Sequence, residues 1–278
     1  MKFKVFSCNH VRPNHVINTE LFQTFVSGLS PDPEKNILTD VSGKNISDMQ
    51  KFCELRQQYY IWQNEISQYD YVGFEHYRRL FNIDPLPIES LNAQYPALSI
   101  IRKKITADPF GYMVSVDEPE VYQQIMAMRR SMGEQEIQST KDWIKSHDVI
   151  YTLPIFESVE ENYKWCHPDG FYLWHELKNQ ISSTRSYSAV RNILEYNSDW
   201  SGYLNMYIMR SEIFIEYMDS IFPPLLDLEV KFPEAPSRIW GHLSERLLGN
   251  FIVQKLLDTP TLRCKAVPNL TFSRNACE

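Results

Sequence analysis

"YDYVGFEHYRRLF", residues 69 to 81, is the stretch on which the reading of the fold turns. Val72-Gly73-Phe74 is an apolar run suited to a buried strand, and Leu80-Phe81 closes it with apolar residues. Between them stand Glu75, His76, Tyr77, Arg78 and Arg79, groups that a core strand does not ordinarily carry. Side chains alternate faces along a strand. A strand over 69–79 therefore sends His76 and Arg78 one way and Glu75, Tyr77 and Arg79 the other. In open α/β sheets ligands sit beyond the carboxyl ends of strands, and a guanidinium pair there suits a phosphate or diphosphate. The competing reading is an ion-pair staple, with Arg78 or Arg79 set against Asp70 or Glu75.

Working outward, the residues before this strand predict a helix over 47–66. Ser47 stands three residues before Gln50, a capping-box spacing, and Met49, Phe52, Cys53, Tyr59, Tyr60 and Ile66 follow a helical period. Helix leading directly into strand is the αβ unit of a mostly parallel sheet. Further strands are expected at "FKVFSC" (3–8), "HDVIYTLP" (147–154, stopped by Pro154), "GYLNMYIMR" (202–210) and "LRCKAVPNLTF" (262–272), with an apolar piece at "LFQTFVSGL" (21–29). Helices are expected over about 118–132, 156–182, 187–197, 211–221 and 241–257, with Pro223-Pro224 breaking or kinking the fourth. Residues 82–117 are irregular. No repeat or low-complexity linker divides the chain, which reads as one domain over 1–278.

Composition narrows the function. The net charge of −7 argues against nucleic-acid binding, and the cluster Arg102-Lys103-Lys104 is too short to reverse that. None of the nine glycines forms a GxGxxG or P-loop cradle. The five cysteines are odd in number, widely spaced and without a CxxC pair, as in a reduced cytosolic protein without a structural zinc. "MKFKVFSCNH" turns polar too soon for a signal peptide, and no run approaches the ~18 apolar residues of a membrane span. The 13% aromatic content builds core for the most part.

Other candidates each have a plain structural alternative. Asp40 and Asn45 lie in a Gly-containing loop where backbone N–H groups can receive a polar ligand, or they serve ordinary turn chemistry. Glu54 reads as a solvated or paired carboxylate. Glu245 stands near the start of the 241–257 helix, where the dipole keeps a carboxylate ionised: a general base, or a first-turn Glu that only steadies the helix. His167 and His175 read as packed or surface histidines. Asn205, an amide inside an apolar strand, needs partners: a substrate hydroxyl or a neighbouring loop.

Three segments in order, "D-x-x-G-x-N-I-S" (Asp40 to Ser47), "CEL-x-x-x-Y-x-x-W-x-N" (Cys53 to Asn64) and "YVGF-x-HYRRLF" (Tyr71 to Phe81), resemble a bacterial capsular and exopolysaccharide biosynthesis family. That family was long catalogued as a domain of unknown function and includes O-antigen galactofuranosyltransferases. "DVIYTLP" (148–154), "NMYIM" (205–209) and "GHLSERLL" (241–248) extend the likeness over nearly the whole chain. "YYIWQN" departs from the family's usual Tyr-Trp and Trp-Lys-Asn pattern, and residues 100–140 match poorly, as acceptor-specific variation would have it.

The resemblance implies an α/β, GT-A-like, single Rossmann-like domain with a mostly parallel central sheet flanked by helices. Residues 1–81 would form the nucleotide-sugar part and 82–278 the acceptor-side and catalytic part. It implies a UDP-sugar donor, galactofuranose first, transferred to a lipid-linked or growing polysaccharide of capsule or O-antigen. GT-A strands usually end there in a DxD pair that holds a divalent metal; here His76, Arg78 and Arg79 stand in its place to hold the donor diphosphate. Whether Mn or Mg also binds, helped by Glu75 and Asp70, is left open. Glu245 takes the position of the catalytic base of an inverting enzyme. Asn9, His10, Asp40, Asn45, Glu75 and Asn205 are expected toward nucleotide and sugar, and His167 toward the acceptor. The enzyme would be cytoplasmic, at the inner face of the plasma membrane as a peripheral protein, with no nucleic-acid partner. The alternative is a non-catalytic nucleotide-sugar- or glycan-binding module of a polysaccharide assembly complex.

Overall fold

Short apolar strands buried on both faces set the architecture. In chain order the elements are β1 (Phe3–Asn9), β2 (Phe22–Val26), β3 (Leu38–Thr39), α1 (Leu55–Tyr60), β4 (Tyr71–His76), β5 (Arg79–Phe81), β6 (Met113–Val116), α2 (Pro119–Ser131) and α3 (Glu134–Lys145). There follow β7 (Val149–Thr152), β8 (Ile155–Phe156), α4 (Val159–Cys166), α5 (Phe171–Ser183), β9 (Trp200–Ser201), β10 (Tyr207–Arg210), α6 (Ser211–Lys231), α7 (Ile239–Asp258), β11 (Cys264–Val267), β12 (Asn269–Phe272) and α8 (Arg274–Cys277). This computed structural model describes residues 1–32, 34–81, 113–152, 155–156, 158–183, 200–201 and 204–277. The expected helix over 187–197, the stop at Pro154 and the Arg102-Lys103-Lys104 cluster lie outside the described residues.

The central sheet runs β11-β7-β10-β4-β1-β2-β3, and on this path β10 alone is antiparallel to its neighbours. β5, β12 and β6 extend it beside β4. The expected α/β fold with a mostly parallel sheet flanked by helices is therefore what forms. One face buries Phe6, Val72, Phe74, Tyr207 and Met209 under α1 and the α4–α7 layer. The other buries Val5, Tyr71, Ile150 and Ile208 with Val121, Tyr122 and Ile125 of α2. Each such fully buried side chain contributes about 1.5–3 kcal/mol. Gly73 is required at the crossing of β1, β4 and β10, because a Cβ there would come within 2.7 Å of Ile208 Cγ1 and 3.1 Å of Val5 Cγ2.

Several expectations are corrected. The helix expected from Ser47 begins at Leu55: Cys53 takes φ +50°, and the Ser47 hydroxyl donates to Asn45 Oδ1 instead of capping a helix. After Tyr60 the turns widen to a π-helical stretch, Ile61–Glu65, before tightening again at Ile66–Gln68. Pro223-Pro224 do not end their helix. α6 runs through them to Lys231, because Ile221, Phe222, Leu225 and Leu228 are buried along its apolar side and outweigh the lost backbone bonds. The strand expected over 202–210 begins only at Tyr207. Leu204 and Asn205, at φ +83° and +49°, form a left-handed turn ahead of it. No helix among the described residues is long and apolar enough to cross a membrane.

Candidate active site

The strand tip quoted at the outset is a hairpin. β4 ends at His76, Tyr77-Arg78 turn, and Arg79 pairs back against His76. Cross-strand partners share a face, so Arg79 stands on the side of His76, not on the side of Glu75 that unbroken alternation predicts. Glu75 points to the opposite face and is consumed there. Arg129 of α2 reaches it with Nη1 at 2.5 Å and Nη2 at 3.2 Å, and its Oε2 also accepts the Phe81 N–H at 3.1 Å. Glu75 is thus a buried structural partner, withdrawn from sugar or metal. Asp70 precedes β4 and accepts the Lys2 N–H at 2.7 Å. Six strand residues put it roughly 20 Å from the tip.

β10 runs antiparallel, so its beginning lies at the same edge as the end of β4. His76 Nε2 sits 2.5 Å from the Leu204 carbonyl. A carbonyl only accepts, so Nε2 carries the proton. Burial lowers the His76 pKa despite Glu54 nearby, and the ring enters the site as a neutral imidazole rather than a third cation. Asn205 is fully used by the protein. Its Nδ2 donates to Glu54 Oε1 at 2.6 Å and Gly241 O at 3.1 Å, while its Oδ1 accepts from Ser244 Oγ at 3.0 Å. Both amide protons are taken and the residue is 1% exposed, so a sugar hydroxyl does not reach it. Glu54, which the sequence leaves as a solvated or paired carboxylate, is 11% exposed, paired with Asn205, and sits just ahead of α1.

α7 brings the remaining charges. Arg238, at φ +66°, caps its N-terminus, and Glu245 is its seventh residue, one turn deeper than a first-turn Glu. The Glu245 side chain is 14% exposed and accepts from Arg246 Nη1 at 2.8 Å. Burial pushes its pKa up to about 7; Glu54 adds to the rise, and Arg246, Arg79 and Arg238 oppose it. One turn earlier on α7, His242 stacks on His167 with ring centres 4.1 Å apart. Burial leads in lowering both, to about 3 and about 4, with neighbouring arginines assisting. His167 therefore does reach the rim of the site, as a neutral ring.

Among the described residues, five non-glycine residues have positive φ, and four of them (Cys53, Leu204, Asn205, Arg238) surround this edge. Each costs of order 1 kcal/mol or more and persists only where the surroundings over-determine it, a pattern concentrated at functional sites.

The other expected residues divide. His10 follows β1 and meets Tyr77 edge-on at 5.4 Å; burial first, then Arg238, Arg56, Arg78 and Arg274, lowers its pKa. Arg78 lies over the Tyr77 ring at 5.4 Å. Asn9 is buried at the end of β1, where its carbonyl receives Gln57 Nε2 at 2.8 Å and the Ser27 N–H at 3.0 Å. Its Oδ1 has no hydrogen-bond partner among the described residues. Asp40 is fully buried and ties the β2–β3 connection, accepting the Ser27 hydroxyl and the Gly28 N–H. Asn45 is half-buried and closes a local turn with Gly43 and Ser47. The structure thus gathers His10, His76, Arg78, Arg79, Glu245 and, at the rim, His167. It leaves Asp40, Asn45 and Glu75 in structural roles. Sequence reasoning missed Arg238, Glu54 and His242; only the short apolar spacing of "SRIWGHLSERLL" marks two of them as sharing a helix end.

The comparison with known families follows from residues 4–256, which match the domain of unknown function DUF4422. The chain belongs to that family. No curated protein matches it. A solved structure, that of the WbbM bifunctional glycosyltransferase in its apo form, superimposes with a TM-score of 0.70 at 23% identity, over 99% of this chain and 46% of that one. The DUF4422 chain thus shares its fold with part of a glycosyltransferase and spans about half the length of that protein.

Proposed function

We propose that this DUF4422 chain is a glycosyltransferase that moves a hexose, galactofuranose first, from a UDP-sugar to a lipid-linked or growing capsule or O-antigen polysaccharide. It would do so as a single domain, with 1–81 contributing the donor side and 82–278 the acceptor side and base, at the inner face of the plasma membrane. The observation that carries this reading is Glu245: a carboxyl poised near pH 7, beside Arg79 and Arg238, at the carboxyl edge of a GT-A-like sheet. In the reaction Glu245 takes the proton of the acceptor hydroxyl. That oxygen bonds the anomeric carbon as the bond to the diphosphate breaks on the opposite face, inverting the configuration. The charge that develops on leaving UDP is met by Arg79, with Arg78 and Arg238 beside it.

Among the described residues no group of three His, Cys, Asp or Glu side chains gathers to hold a divalent metal, and Glu75 and Asp70 are engaged elsewhere. NMR of the product's anomeric proton tests the reading: inversion supports it, retention overturns the role of Glu245, and UDP binding with no transfer to any glycan favours the binding-module alternative.

A further inference from the structure

Glu54 has no part in the chemistry just described, yet it is a largely enclosed carboxylate, 11% exposed, that pairs with no arginine among the described residues. Its Oε1 receives the Asn205 amide at 2.6 Å, and the same amide nitrogen reaches Gly241 O at 3.1 Å in the first turn of α7. Asn205 Oδ1 takes the Ser244 hydroxyl at 3.0 Å, and Ser244 precedes Glu245. On its other side the Leu204–Asn205 turn is held to β4 by His76 at 2.5 Å. Close packing supplements the polar tie. A Cβ at Gly241 would lie 3.0 Å from both Cβ and Sγ of Cys53, so glycine is what lets α7 rest on the Cys53–Glu54 turn.

We propose that Glu54 is a positioning residue which, through Asn205, clamps the first two turns of α7 onto the strand tip and sets where Glu245 stands. This deepens the reading of Glu245 as the base and rests on it. The charged and titratable groups that face Glu245 are Arg246 and Arg238 of its own helix and cap, Arg79 of β5, Cys53 and Glu54 of the turn before α1, and Tyr217 of α6. Among these Glu54 supplies the opposing negative charge. Its removal makes the Glu245 carboxyl more acidic, whereas loss of the Asn205 tie displaces that carboxyl without removing a charge.

The test separates position, charge and chemistry. Carboxyl ¹³C NMR of glutamate-labelled protein, with the Glu245 signal assigned by its loss in Glu245→Gln, follows the titration directly and needs no turnover. In Glu54→Ala, which takes the acceptor from the Asn205 amide, kcat is expected to fall roughly tenfold or more, whereas Glu54→Gln, whose amide oxygen still accepts from Asn205, keeps most of it; the Glu245 midpoint moves to lower pH in both, and unchanged kcat in Glu54→Ala or an unmoved midpoint in both overturns the proposal. In Asn205→Ala, kcat is expected to fall roughly tenfold or more with UDP affinity kept, because small displacements of a reacting group are expensive. Unchanged kcat overturns it. Ser244→Ala, which removes one bond of the same tie, replaces Asn205→Ala if that chain does not fold. Full turnover in Glu245→Gln would remove the base reading alone, since the titration shift still decides whether Glu54 acts on Glu245.

Discussion

Two carboxylates at opposite edges of the sheet, each with arginine for company, are held in opposite electrostatic states. Asp148, just before β7, takes Arg263 through Nε at 3.2 Å, Nη2 at 2.8 Å and the backbone N–H at 2.8 Å, and Arg210 Nη1 at 3.2 Å. These hydrogen bonds, Arg263 first, hold its pKa down to about 2. Glu245 has one arginine contact at 2.8 Å, and burial wins, raising it to about 7. Proximity to arginine does not decide the state. What decides it is how many donors converge on the ionised form, against how far water has been withdrawn. The first arrangement staples β7, β10 and β11 at their outer end; the second leaves a carboxyl near neutrality, the state the proposed base requires.

The contrast breaks most visibly in turnover. Glu245→Gln is expected to lower transfer by roughly 10²–10⁴-fold while calorimetry finds UDP affinity unchanged. In the unsubstituted protein kcat/KM should climb with pH through about 7 and level off above it, since the proposed base works only when deprotonated. Next in size is the cation side. Arg79→Ala should weaken UDP binding by roughly 10–100-fold, the loss of a charge-assisted contact. Arg78→Ala should weaken it less, its guanidinium being stacked on Tyr77.

Asp148→Asn sharpens the comparison from the other edge. It should cost about 1–2 kcal/mol of stability at pH 7 in denaturant melts, discounted for the half-exposed Arg263, with kcat unaltered. The folded pKa lies below its ordinary value of 3.8, so this stabilisation is full above about pH 4 and is lost as pH falls through about 2. Glu245 has the reverse sign. Its folded pKa lies above the ordinary 4.5, so ionising it weighs against the folded state as pH rises through about 7. Glu245→Gln should accordingly stabilise the protein at pH 8 by roughly 3 kcal/mol, the value of about 7 already including the Arg246 pairing, and leave it unchanged below pH 4.5. A melt at both pH values checks the sign.

Much of the fold was legible in local pattern. The apolar runs at 3–8, 71–76 and 149–152 are strands because their residues are buried on both faces, and the helix of "GHLSERLLGNFIVQKLL" carries Leu243, Leu247 and Leu248 inward. The candidate site was legible in part. His76, Arg79 and Glu245 could be named because charged groups interrupt apolar elements there. Arg79 was assigned the wrong face because a two-residue turn at Tyr77-Arg78 resets the alternation, and no local signal marks it. Asn205 was taken for a strand residue because its left-handed φ follows from contacts with Glu54, Gly241 and Ser244, each far away in the chain.

The sequence by itself determined which side chains are apolar and which carry charge, and so the strands, the helices and the presence of a basic strand tip. Only the tertiary structure decided which charges meet. Glu75 and Glu245 are the same residue type, and one became the buried partner of Arg129 while the other became a carboxyl near neutrality. That difference lies in solvent exclusion and in donors brought from distant segments, quantities that exist only once the sheet and helices have closed around them.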